Sequence, residues 1–192
     1  MEKRIFLIGP QGSGRSRLIR EALWEKLAEA GGFVTVPEPG PEGFPVGAAL
    51  RPAASAAGIE GLDARRFLDF SVWPPAHDNE VFRIFGTRLL QEAALYPFAL
   101  LDELGGFELL IPPFREALYA LLESGLPLVG ALKTPEETEA WRQLYGLGER
   151  MTQQAARLRE ALAADADTRV IDLTNTSESE ALSLLRAWAF DL

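Results

Sequence analysis

Cysteine is absent from this chain, and histidine occurs only once. The first absence excludes disulfides, thiolate zinc sites and cysteine nucleophiles, and a lone histidine cannot build a metal site. No apolar run approaches the roughly 20 residues that a membrane span needs, so no membrane partner is expected. The first residues lead into only four apolar positions before a glycine, which does not match a secretory signal. We therefore expect a cytoplasmic protein.

Basic residues are also scarce. The 19 Lys and Arg residues face 28 Asp and Glu residues, which gives a formal net charge of −9. Because nucleic-acid binding rests on basic surface, this charge argues against nucleic acid as a main partner, while a nucleotide needs only local positive potential. The 192 residues, 47% of them apolar, predict one domain over 1–192 with a sizeable core. A monomer or weak oligomer is expected, and a protein partner stays open.

What the sequence does contain is a glycine-rich segment, G-P-Q-G-S-G-R-S, at residues 9–16. An apolar run over 5–8 precedes it, and an amphipathic stretch over 18–30 follows and stops at Gly31 and Gly32. The order of strand, glycine loop and helix is typical of a phosphate-binding P-loop. Glycines let backbone N–H groups turn inward on an anion, and the helix aims its positive end at the same point.

The P-loop pattern, G-x-x-x-x-G-K-[ST], is met at Gly9, Gly14 and Ser16, but Arg15 occupies the lysine position. The arginine keeps the charge, yet its planar guanidinium is wider than an ammonium and cannot replace it without displacing the loop or the ligand. Alternatively, Arg15 is a solvated residue at the helix start. The predicted phosphate-binding residues are Gly9, Gln11, Gly12, Ser13, Gly14, Arg15, Ser16 and Arg17.

A second motif supports phosphate chemistry. The apolar run 98–101 ends in Asp102 and Glu103, where a strand's carboxyl end is expected. A bound Mg²⁺ is predicted to take the Ser16 hydroxyl and Asp102, while Glu103 polarises water toward the γ-phosphate. Glu103 and Arg15 are thus the catalytic candidates.

The remaining pattern alternates short apolar strands with helices, which indicates a parallel sheet covered on both faces. Strands are predicted at 33–36, 66–73, 126–132 and 170–173, with residues 37–73 forming a hairpin or lid excursion. Thr134, Pro135 and Glu137 predict a capped helix start, and Glu136, Glu137 and Glu139 a solvated helix face.

The segment F-A-L-L-D-E-L-G-G-F-E-L, residues 98–109, resembles the small P-loop nucleoside-triphosphatases known in human as the cancer-related nucleoside-triphosphatase. Further likeness lies in 32–35, in 43–44 and at Phe114. The resemblance implies a P-loop NTPase of the α/β class, a RecA-like three-layer sandwich with a mainly parallel sheet and a small β excursion. It also implies slow, Mg²⁺-dependent hydrolysis of ATP, GTP or another nucleoside triphosphate to the diphosphate, with Glu108 supporting the catalytic loop.

The chain departs from that family at three points: Arg15 replaces its lysine, an arginine expected near 37–40 is missing, and Lys133 stands where a histidine or other polar residue is expected. Three functions therefore remain open. The first is slow nucleoside-triphosphate hydrolysis. The second is a weakened or inactive nucleotide- or phosphate-binding protein that acts through protein partners. The third is a small-molecule or nucleotide kinase.

Overall fold

Short apolar segments form the centre of the molecule. A computed structural model describes residues 2–192, and within that range eight strands join into one sheet. The central strands are buried along almost their whole length, as the unbroken apolar runs predict. The strands are β1 (Arg4–Ile8), β2 (Ala30–Pro39), β3 (Pro45–Pro52), β4 (Arg65–Asp69), β5 (Ala76–His77), β6 (Phe98–Leu104), β7 (Leu128–Leu132) and β8 (Thr168–Asp172).

The sheet has two parts, with the strand order β5-β4-β3-β2-β6-β7-β1-β8. From β2 to β8 every neighbouring pair is parallel, whereas β2, β3, β4 and β5 pair in antiparallel fashion. A parallel sheet requires crossover connections, and these are the helices. The predicted parallel sheet with a small β excursion is confirmed.

Helices cover both faces of this sheet. They are α1 (Arg15–Ala22), α2 (Thr87–Glu92), which continues a π-helical segment (Val81–Gly86), α3 (Pro112–Glu123), α4 (Pro135–Leu144), α5 (Arg150–Ala164) and α6 (Glu178–Phe190). Shorter 3₁₀ turns are Leu27–Glu29, Pro41–Gly43, Ala53–Ala57, Ala93–Leu95 and Phe107–Leu110. Helices α1 and α6 pack on one face, and α2, α3 and α5 on the other. This is the expected three-layer sandwich.

The alternation of side chains along β1 divides the core into two clusters. Ile5 and Leu7 point into the cluster with α1 and α6, and Phe6 into the opposite cluster with α3 and α5. Because successive strand residues face opposite sides, one five-residue strand anchors both layers. The loop that follows β1 is therefore held between two packed cores.

The first helix is shorter than predicted. It ends at Ala22, and Gly31 and Gly32 do not stop a helix but lie inside β2. At Gly32, φ is +84°, and a Cβ would approach the carbonyl oxygen of Leu100 to 2.4 Å. The glycine is thus required by the close parallel approach of β2 to β6, a demand that helical periodicity does not reveal.

The excursion at 37–73 extends the sheet through β3 and β4. Strand β4 ends at Asp69, so the predicted strand over 66–73 is too long at its carboxyl end. After Asp69 the chain turns, and Ser71 donates both its N–H and its hydroxyl to the Asp69 carboxylate, at 2.8 and 2.6 Å. That local turn competes with the ladder and ends the strand.

The capped start of α4 is confirmed. Thr134 Oγ1 accepts from the N–H of Glu137 at 3.2 Å, and the Glu137 carboxylate accepts from the N–H of Thr134 at 2.9 Å. This reciprocal pair fixes the end of β7 against the start of α4. It also places Glu137 beside the loop after β1.

Gly32→Ala is expected to destabilise the protein far more than Gly43→Ala. Both glycines have positive φ, but nothing lies within 4 Å of a Cβ at Gly43. Backbone strain alone costs about 1–2 kcal/mol, and the clash with Leu100 is expected to add about 1–3 kcal/mol at Gly32. Urea unfolding of both variants measures the difference. Equal losses would contradict the close-approach explanation.

Candidate functional site

The loop between β1 and α1 has the backbone of an anion cradle. Gly12 and Gly14 both have φ of +83°, and Gly14 begins α1 without any side-chain cap. The first N–H groups of a helix have no partner inside the helix, so they remain available to a ligand. The buried Ser13 hydroxyl also has no hydrogen-bond partner within residues 2–192. These groups fit a phosphate.

Arg15 turns its guanidinium away from solvent and into the protein. Its side chain is 4% exposed, so the alternative of a solvated residue is wrong. Nη1 donates to the carbonyl oxygens of Gly9 and Leu132 at 2.8 and 2.6 Å. The two terminal nitrogens also pair with the Glu137 carboxylate at 2.6 and 2.7 Å, and Nη2 pairs with Glu103 at 2.8 Å.

The charge of Arg15 is maintained by these partners. Burial by itself lowers the pKa of the guanidinium, but the carboxylates of Glu137 and Glu103 raise the pKa above its ordinary value. Both terminal nitrogens already have protein acceptors. In this structure Arg15 is therefore a buried residue whose hydrogen bonds and ion pairs connect the strand ends to α4.

Ser16 and Asp102 meet at the start of α1. The Ser16 hydroxyl donates to Asp102 Oδ1 at 2.6 Å, across 86 residues of sequence. Asp102 is 3% exposed, and burial raises its pKa from 3.8 to about 6, although the Ser16 hydrogen bond and the nearby Arg20 oppose the rise. The predicted metal-binding pair is thus assembled, and its carboxylate is charged only above about pH 6.

Glu103 lies between two cations. Its Oε1 accepts from Arg15 Nη2 at 2.8 Å, and its Oε2 accepts from Lys133 Nζ at 2.7 Å. Burial alone would raise the pKa of Glu103, but Lys133 and Arg15 hold the pKa below its ordinary value. Glu103 is therefore an ionised carboxylate with both oxygens engaged.

Glu108 organises the loop after β6. It is buried, and its Oε1 accepts the N–H groups of Gly105 and Gly106, each at 2.8 Å. Thr138 on α4 donates to the Gly105 carbonyl oxygen at 2.9 Å. Burial raises the pKa of Glu108, an effect that Lys133 and the two N–H groups partly offset. The loop-supporting position expected for this glutamate is confirmed.

One cavity of about 390 Å³ contains the polar groups. It runs from the loop after β1, past the ends of β6 and β7, to the antiparallel strands. Its polar lining includes Gln11, Ser16, Arg20, Asp102, Glu103, Glu108 and Lys133. Its apolar lining includes Phe67, Phe70, Phe82, Phe107, Trp141 and Met151.

The other predicted phosphate-binding residues lie in two places. Gly9 is packed closely, since a Cβ there would come within 2.9 Å of Ser13 Oγ and 3.0 Å of Leu173 Cβ. Arg17 is exposed and pairs with Glu178 at 2.7 Å and Glu21 at 3.4 Å. Arg17 is thus directed along the outer side of α1, away from Asp102 and Glu103.

Two members of the site were missed by sequence reasoning. In the sequence, Lys133 stands out only as a departure from the resembled family. The prediction that Glu137 lies on a solvated helix face is wrong, because its side chain is 10% exposed and pairs with Arg15. The available signal was the capping motif directly after β7, which brings the first turn of α4 to the edge of the sheet where β1 ends.

Within residues 2–192, no group of three or more His, Cys, Asp or Glu residues is arranged to hold a metal ion. Ser16 and Asp102 could supply two oxygen ligands to a metal ion, and oxygen ligands suit Mg²⁺. In the same described range, no helix combines the length and the apolar character of a membrane span.

The strand order, together with the glycine loop between β1 and α1, defines a P-loop NTPase-like fold. The chain is similar to the crystal structure of THEP1 from the hyperthermophile Aquifex aeolicus. The TM-score is 0.60 and the identity 16%, and the alignment covers 95% of this chain and 98% of that chain. At this identity the likeness establishes the fold. No protein-family model and no curated protein matches the sequence.

Asp102→Asn is expected to stabilise the protein at about pH 8 by about 3 kcal/mol. Because the folded pKa is about 6 against 3.8 unfolded, the folded state binds more protons in that window, so wild-type stability falls as pH rises through it. The gain should vanish near pH 4. Thermal unfolding of the wild-type protein and of Asp102→Asn, followed as a function of pH, measures the gain and its loss.

The matched control is Asp172→Asn. Hydrogen bonds from Thr174 lower the pKa of Asp172, so removing that charge should destabilise the protein at neutral pH. If Asp102→Asn also destabilised the protein at neutral pH, burial would not be the dominant influence on the pKa of Asp102.

Proposed function

We propose that this protein binds a nucleoside triphosphate with Mg²⁺ and hydrolyses it slowly to the diphosphate. The observation that carries the proposal is the contact of Ser16 with Asp102 at 2.6 Å, at the mouth of a glycine loop and beside Glu103. The P-loop NTPase-like fold supports nucleotide binding at this loop.

The phosphates would lie on the backbone N–H groups at the start of α1. The uncapped helix start supplies donors for them. The residues proposed to hold the phosphates are Gly9, Gln11, Gly12, Ser13, Gly14, Ser16 and Arg17. Arg17 would contribute only charge from the outer side of α1, since it is paired there.

Mg²⁺ would be held by Ser16 and Asp102. Bound there, the ion would neutralise charge on the phosphate oxygens. Asp102 must be ionised for this role. Metal affinity should therefore decline as the pH falls below about 6, where burial favours the neutral carboxyl.

Glu103 would orient the attacking water and accept its proton. As the water oxygen bonds to the γ-phosphorus, the bond to the bridging oxygen breaks and the diphosphate leaves with the electron pair. Because Arg15 and Lys133 engage both oxygens of Glu103 and hold its pKa low, the carboxylate is a weak base. Slow turnover follows from that pairing.

Arg15 would influence the reaction through Glu103 rather than by touching phosphate. Its guanidinium holds Glu103 Oε1, so Arg15 is a positioning residue in this proposal. A missing contact to the transition state typically costs about 3–4 kcal/mol. The lysine that a P-loop normally offers is one such contact, and its absence is a second reason for slow turnover.

Calorimetric titration with a non-hydrolysable ATP analogue, with and without Mg²⁺, tests binding. We expect Mg²⁺-dependent affinity in the micromolar range. Glu103→Gln should abolish phosphate release while changing affinity less than about threefold, because it removes the proton acceptor and keeps the shape. Glu139→Gln, on the exposed face of α4, is the matched control. Unchanged turnover in Glu103→Gln would contradict the assigned role.

Arg15→Lys is expected to raise the hydrolysis rate by about tenfold or more. A lysine side chain can follow the loop and reach the phosphates, whereas the guanidinium is held by Glu137 and Glu103. The same change should lower the thermal stability, since the paired hydrogen bonds to Glu137 are lost. A variant that binds nucleotide and still shows no turnover would leave the second function, binding without catalysis.

A kinase is the third candidate function, favoured by the aromatic wall of the cavity. Phe70 and Trp141, which both line the cavity, lie with ring centroids 6.5 Å apart. Such a wall suits a planar acceptor and excludes water. Incubation with γ-labelled nucleotide and candidate hydroxyl acceptors distinguishes a hydrolase from a kinase. Label that appears only in inorganic phosphate supports hydrolysis, and label in an organic product supports the kinase.

A further inference from the structure

A triphosphate bound at this cradle would lack the usual lysine contact to its γ-phosphate. The residue at that position, Arg15, has both terminal nitrogens on protein acceptors. Phosphoryl transfer depends on cations placed at the β- and γ-phosphate oxygens. The cavity lining therefore becomes the place to look for a replacement cation.

Lys133 is the lysine of this chain that lies at the cavity. The sequence holds three lysines, and the other two are elsewhere. Lys3 is half-exposed near Asp167, and Lys26 donates to the carbonyl oxygen of Ala189. Lys133 follows β7, which lies next to β1 in the sheet, and it lines the same cavity as Ser16 and Asp102.

The ammonium of Lys133 has spare donors. Its side chain is 12% exposed, and Nζ has a single acceptor within residues 2–192, Glu103 Oε2 at 2.7 Å. An ammonium carries three N–H donors, so two are left for a ligand. Burial alone would lower its pKa, but Glu103 and Glu108 raise the pKa, and the group stays charged.

We propose that Lys133 binds the γ-phosphate of the bound triphosphate and so supplies, from the end of β7, the ammonium that the glycine loop lacks. This inference rests on the function proposed above. The same contact would link triphosphate binding to catalysis. When Lys133 Nζ moves toward the γ-phosphate, Glu103 Oε2 loses its partner and becomes free to accept a hydrogen bond from water. A diphosphate has no γ-phosphate, so it would leave the salt bridge between Lys133 and Glu103 intact.

The test compares two probes, a non-hydrolysable ATP analogue and ADP, each titrated with Mg²⁺. Lys133→Met should lower the affinity for the triphosphate analogue by about tenfold or more, and the affinity for ADP by less than about threefold. Lys133→Arg, which keeps the charge, should retain most of the triphosphate preference. Lys26→Met, a matched change at a remote lysine, should alter neither affinity.

An unchanged ratio of triphosphate to diphosphate affinity in Lys133→Met would overturn the inference while leaving the proposed function standing. Absence of binding to both probes in the wild-type protein would overturn the proposed function itself. Where Lys133→Met fails to fold because Glu103 loses its partner, the double variant Lys133→Met/Glu103→Gln removes both charges. The ratio of triphosphate to diphosphate affinity in the double variant is then compared with the ratio in Glu103→Gln alone.

Discussion

The site depends on one buried cation, the guanidinium of Arg15. It joins the carbonyl end of β1 and the carbonyl end of β7 to carboxylates from β6 and α4. A charge at this depth is tolerated only because its hydrogen bonds are satisfied, and removing either carboxylate would leave part of the guanidinium without its ion-pair partner. The shape of the glycine loop and the position of Glu103 are therefore consequences of the same network.

Burial and neighbouring cations shift the pKa values of the carboxyl groups of the site in opposite directions. Asp102 and Glu108 have raised pKa values because protein surrounds them, whereas Glu103 has a lowered pKa because two cations adjoin it. Neighbouring carboxyls with separated pKa values can serve different roles at one pH. The contrast between Asp102 and Glu103, consecutive in sequence, arises from which neighbours each one meets.

Local pattern predicted much of this architecture. The order of strand, glycine loop and helix predicted the connection between β1 and α1, and the apolar run before Asp102 predicted the strand end that meets Ser16. The orientation of Arg15 was not predictable, because its partners lie 88 and 122 residues away and no periodicity encodes them. Gly32 was misassigned for a related reason, since the contact that demands a glycine is with Leu100 on another strand.

The far edge of the sheet has a consequence for contact between copies of the chain. Strand β5 is only two residues long, Ala76 and His77, and Pro74 and Pro75 precede it. A long exposed edge offers a row of N–H and C=O groups on which a second chain can add a strand, and proline has no N–H to offer. The antiparallel extension thus ends in a two-residue strand, which offers few N–H and C=O groups for strand pairing with a second copy of the chain.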